Sequence, residues 1–140
     1  MFKFEHTIET VVSAKALWAL YSDVSTWKRW DAGIEAVTLN GPFAEGTSGT
    51  LTPRGQNPLI FKLVEVREGE RFTNETEMPE AGVILHFIHT LQPINGKTRI
   101  SHQVMITGLA ADVLGPQMGP VLTRGIPETM QSLVATAGLG

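Results

Sequence analysis

The chain has no cysteine among its 140 residues, which removes a thiolate nucleophile, a cysteine-ligated zinc or cluster, and any disulfide framework. Positive charge is also scarce. Eleven Lys and Arg against 14 Asp and Glu give a formal charge of -3 without a basic run, so nothing offers phosphates a neutralising surface and no nucleic acid is expected as a partner. No apolar run approaches the roughly 18 residues that cross a bilayer, so no membrane insertion is expected. Met1-Phe-Lys-Phe-Glu-His6 alternates apolar and polar residues from the start, unlike a signal peptide, and the expected compartment is the cytoplasm. A Gly-rich phosphate loop, a G-x-S-x-G elbow, an H-E-x-x-H pair and a cluster of metal ligands are all missing, and neither cofactor nor metal is expected.

What is present suits one globular domain over residues 1–140, because a chain of this length buries roughly two-thirds of the surface it exposes when unfolded. A monomer or weak dimer is expected. Phe2, Phe4 and Ile8 share one parity and read as a half-buried first strand. Ser13 is placed to cap a helix whose apolar face carries Ala14, Leu17, Trp18 and Tyr21, the chain's one tyrosine. Ser25 is placed to cap a second, shorter helix over Thr26–Trp30, which Asp31-Ala-Gly33 breaks. From Ile34 to about Thr107, turn residues such as Asn40-Gly-Pro42, Glu68-Gly-Glu70 and Asn95-Gly96 punctuate about six strands with no helical crossover, which predicts an antiparallel meander. The tail carries Leu114, Met118, Val121 or Leu122, Ile126, Met130, Leu133 and Ala137 at helical spacing. Pro116, Pro120 and Pro127 lie inside that stripe and predict kinks or a short preceding turn.

Asn95-Gly96 is the preferred type I′ hairpin turn and sets a register. With Ile94 opposite Lys97, Leu91 faces Ile100, His89 faces His102, Phe87 faces Val104 and Leu85 faces Ile106, all on one side of the sheet. His89 and His102 are therefore expected side by side. Burial and mutual repulsion favour their neutral forms, so at least one pKa is expected to fall and the pair to titrate as a unit. His86 has the opposite parity and is assigned to the convex side without a role, while His6 shares parity with Phe2 and Phe4.

Several stretches together carry a family likeness: Val11-Val-Ser-Ala14 before Trp18; Tyr21-Ser-Asp-Val24 followed by Trp27 and Trp30-Asp31; Gly41-Pro-Phe-Ala-Glu-Gly46 with Gly49; Val64-Glu-Val66 with Gly69 and Arg71-Phe72; and Thr98-Arg99-Ile100 before the interrupted helix. The whole chain resembles the superfamily of START domains, birch-pollen-allergen-like proteins and polyketide cyclases, most closely its bacterial polyketide cyclase/dehydrase-like branch. The resemblance implies an α+β helix-grip fold, in which a curved antiparallel sheet of six to seven strands wraps a long C-terminal helix around an apolar cavity.

On that implication the function is to bind a small hydrophobic, aromatic or polyketide-like molecule. Trp30, Phe61, Phe72, Asn74, Thr76, Phe87, Met118, Leu122 and Ile126 are the candidate ligand-binding residues. Asn74 and Thr76 share parity with Phe72, and polar groups in an apolar cleft orient a ligand. His89 and His102 either complete the core, exchange hydrogen bonds with a phenol, enol or ketone of the ligand, or serve as acid and base, which would make the protein a cofactor-independent cyclase or dehydratase. An interaction module of cochaperone or translation-associated type is the third alternative.

Overall fold

In the computed structural model, which describes residues 1–139, seven strands form one antiparallel sheet: β1 (Phe2–Thr10), β2 (Ile34–Leu39), β3 (Ser48–Pro53), β4 (Leu59–Arg67), β5 (Arg71–Met78), β6 (Val83–Ile94) and β7 (Lys97–Thr107). Their order is β1-β7-β6-β5-β4-β3-β2, a meander except that β1 closes against β7. Helix α1 (Ala14–Tyr21) follows β1, and a 3-10 turn at Val24–Thr26 leads into the short α2 (Trp27–Trp30). Helices α3 (Ala111–Thr123) and α4 (Ile126–Gly138) end the chain. This is the helix-grip architecture. Among the described residues no helix is long and apolar enough to cross a membrane.

The β6–β7 hairpin has the expected register, with Ile94 opposite Lys97, His89 opposite His102 and Leu85 opposite Ile106. Both turn residues adopt positive φ, 50° at Asn95 and 79° at Gly96, as a type I′ turn demands. On the next strand Phe72 pairs with His89, Asn74 with Phe87 and Thr76 with Leu85. That settles the register left open at the Glu68-Gly69 turn, and Phe72, Asn74 and Thr76 are all buried on the inner face. Register shifts between Ile34 and Ala36 and between Leu63 and Glu65 are bulges, which bend the strands that carry them.

One local expectation is corrected, and the expected interruption of the last helix is located. Ser13 caps α1 by accepting from the Ala16 amide, but Ser25 caps nothing: Asp23 is the cap, its carboxylate accepting from both the amide and the hydroxyl of Ser25. The C-terminal helix breaks at Arg124–Gly125 and runs through Pro116 and Pro120. Those two prolines lie on the exposed face, where water can serve the carbonyls they leave free. At the break, Pro127 removes the next donor in the ladder and the helix restarts with the Thr129 amide on the Gly125 carbonyl. Leu122 takes the inward stripe position, while Val121 is exposed. Helix α3 lies close to the sheet because Gly115 and Gly119 face Phe2; a Cβ on Gly119 would fall 2.3 Å from the Phe2 ring.

Candidate functional site

Most of the buried hydrophobic residues fall into two clusters. One gathers α1, α2, α4 and the strands beneath them, including Trp30, Phe61 and Phe72. The other joins Val83, Leu85 and Ile106 to α3, with Phe87, Met118 and Leu122 packed against it. Ile126 belongs to the first cluster and Leu122 to the second, so the helix break lies over the boundary between them.

Three hydrogen bonds fix the first cluster. The Trp27 indole donates to the Tyr21 carbonyl at 3.0 Å, the Thr26 hydroxyl donates to the Leu20 carbonyl at 2.8 Å, and the Trp30 indole donates to the Thr26 hydroxyl at 3.3 Å. Two of them add donors to carbonyls at the end of α1, and together they hold Tyr21 against the sheet. Its hydroxyl then meets His102 Nε2 at 2.7 Å, fully buried.

One row of the inner face runs His6, His102, His89, Phe72 across β1, β7, β6 and β5. The His89 ring stacks on Phe72 with centroids 4.0 Å apart and planes within 4°, and meets His102 edge-on at 4.7 Å. Burial pushes the His89 pKa down to about 4. Burial first, then the neighbouring His89 and His6, hold His102 well below the usual imidazole range. Burial also drives the Tyr21 phenol far above its ordinary value. At neutral pH the neutral forms of His89, His102 and Tyr21 are favoured, in line with the expected fall of the paired histidines. Their roles differ: Tyr21 occupies His102, whereas His89 is only partly buried and its inward Nδ1 has no partner.

The next row is Asn74, Phe87, Val104 and Phe4. Asn74 is 5% exposed, and its Oδ1 also lacks a partner. Phe4 and Phe87 are half-buried here, as are Met118, Leu122 and Ile126 above them. A groove of about 460 Å³ lined by His6, Pro127, Glu128, Gln131 and Ser132 opens on the β1 side beside the helix break. His6 lines that groove and is also the strand partner of His102, so one end of the row reaches the surface there.

Of the candidate residues, Trp30, Phe61 and Phe72 form a filled aromatic wall, at most 4% exposed. Asn74, Phe87, His89, Met118, Leu122 and Ile126 surround the boundary between the clusters, and Thr76 lies one row further, opposite Leu85. Sequence reasoning missed two participants. Tyr21 read as core, and its only signal was one hydroxyl on an apolar helix face; His6 was visible only by parity. His86 does lie on the other face, where Nδ1 meets Glu75 Oε2 at 2.8 Å and Nε2 meets the Thr107 hydroxyl at 2.7 Å, tying three strands together. Asp31 accepts from the Gly33 amide at 2.9 Å, and Arg124 is exposed at the break.

Residues 1–138 match the family described as polyketide cyclase / dehydrase and lipid transport. No curated protein matches the sequence. Among solved structures, Ara h 8.0201 is similar with a TM-score of 0.78 at 12% identity, covering 99% of this chain and 98% of that one. A START superfamily protein from Mycobacterium smegmatis gives a TM-score of 0.77 at 13% identity, covering 99% of each chain. Norcoclaurine synthase from Thalictrum flavum, in complex with dopamine and hydroxybenzaldehyde, gives 0.74 at 17% identity over 98% of this chain and 86% of that one.

Proposed function

The chain belongs to the polyketide cyclase/dehydrase and lipid transport family, and on that premise we propose that it binds a small hydrophobic, aromatic or polyketide-like molecule between the sheet and the broken C-terminal helix. The observation that carries this reading is His89, a neutral, partly accessible imidazole with an unpartnered nitrogen, at the edge of an apolar interior. Most buried polar atoms in cores are paired, so this nitrogen is where a ligand would gain a hydrogen bond. Phe87, Met118, Leu122 and Ile126 supply the apolar walls, methionine adapting to the shape of what enters. The groove lined by His6 and α4 is the surface feature we propose as the entrance.

An amide NMR titration with flavonoids, anthraquinones, fatty acids and sterols tests the reading. Saturable shifts around Phe87, His89 and Ile126 are expected with at least one class, and their absence with every class overturns it.

A second reading is catalysis of cyclisation or dehydration. Here the Tyr21–His102 hydrogen bond favours it, by holding a donor and acceptor pair next to His89. His89 would then touch the substrate and His102 would position it. A base whose conjugate acid has a pKa near 4 accepts a carbon-bound proton less readily than an ordinary histidine, which is why binding stands first. Under the catalytic reading, His89→Ala abolishes turnover of a polyketone while leaving its affinity largely intact; unchanged turnover removes it.

A further inference from the structure

We infer that the interior selects a neutral molecule bearing a hydroxyl group, that this hydroxyl is held between Asn74 and His89, and that Asn74 sets the preference. The inference rests on the binding reading above and names the ligand's chemistry. Asn74 Oδ1 and His89 Nδ1 are both buried atoms without a hydrogen-bond partner. Their residues are diagonal neighbours, since Asn74 pairs with Phe87 and His89 with Phe72 on the adjoining strand. Diagonal cross-strand neighbours lie about 7–8 Å apart at the backbone, close enough for one small group to reach both side chains. A hydroxyl fits both ends: its proton goes to the Asn74 oxygen, and its oxygen accepts the N–H of neutral His89.

Charge settles the rest of the class. Between Phe72 and Thr76, Leu85 and Leu91, Ile100 and Ile106, and Phe2 and Ile8, the inward positions include no Lys, Arg, Asp or Glu. A carboxylate or an ammonium placed against the inner face of these strands would find no counter-ion on them and would lose its hydration. An unpartnered amide oxygen weakens the empty fold, and a leucine of similar shape would not. The side chain is thus costly without a ligand and useful with one.

Calorimetric titration at neutral pH with naphthol, its methyl ether methoxynaphthalene, and naphthoate tests the inference on the intact protein and on Asn74→Leu. Naphthol should bind about tenfold or more tighter than the ether, the worth of one hydrogen bond whose loss leaves a buried group unpaired, and naphthoate should bind weakest. In Asn74→Leu the naphthol and ether affinities should converge and the thermal unfolding midpoint should rise. Equal affinities in the intact protein, a preference that survives Asn74→Leu, or a lower midpoint in that variant each overturn the assignment while leaving the binding reading in place. Failure of all three compounds to bind overturns both. Asn74→Ala repeats the affinity comparison should the leucine variant not fold.

Discussion

Lowering the pH from neutral towards 4 should destabilise this protein. His89 has a pKa near 4 in the fold against an ordinary value of 6.5, so between these values the unfolded chain binds a proton that the native ring refuses. The sign follows: stability from the neutral ring is fully present above about pH 6.5 and is lost as the pH falls towards 4. At roughly 1.4 kcal/mol per pKa unit, His89 alone is worth on the order of 3 kcal/mol over that interval. His102, held down by burial and by His89, adds to the loss in the same direction. Asp31 opposes it, because burial raises its pKa and the fold takes up that proton before the unfolded chain does. Urea denaturation in steps from neutral pH to about pH 4.5 measures the balance, with His89→Gln as the control that cannot titrate. The intact protein should lose stability with a slope approaching 1.4 kcal/mol per pH unit for each ring, and His89→Gln should remove about one ring's worth. A flat profile, or a slope that His89→Gln leaves undiminished, would refute the neutral buried pair.

Tyr21→Phe keeps the ring and leaves His102 Nε2 without its 2.7 Å partner, so it should cost about 1–3 kcal/mol in urea or thermal unfolding. Gly49→Ala would set a Cβ 2.3 Å from the Thr38 carbonyl and 2.7 Å from the Phe61 ring. Backbone cannot move aside as a side chain can, and a loss near 3 kcal/mol, the upper part of the overpacking range, is expected by denaturation. Gly119→Ala meets only the Phe2 ring, so its cost should be smaller and should shrink further on a Phe2→Ala background. That double-mutant cycle should return a coupling of about 1–2 kcal/mol, and additivity would show that α3 does not rest on Phe2.

How much of this was legible differs from element to element. Strand alternation is a local property with period two, and Asn95-Gly96 admits one turn type, so the pairing of His89 with His102 could be counted outwards from the turn. The stripe from Leu114 to Ala137 was equally plain, since helical spacing does not depend on what the helix touches. The place of the break was not. Three prolines in one stripe look alike in sequence, and which of them interrupts the helix depends on whether water can reach the carbonyls each leaves free.

Local chemistry, then, determined by itself that this chain forms a meander with a histidine pair on its inner face and ends in an interrupted amphipathic helix. Tertiary structure decided what that pair means. Tyr21 reaches His102 across 81 residues of sequence, and His6 joins the row only because β1 closes against β7. No spacing rule links positions so far apart; docking of α1 and closure of the sheet do. Those same events bury His102, favour the neutral forms of His89 and His102, and leave His89 and Asn74 with the two unpartnered atoms on which ligand recognition is proposed to turn.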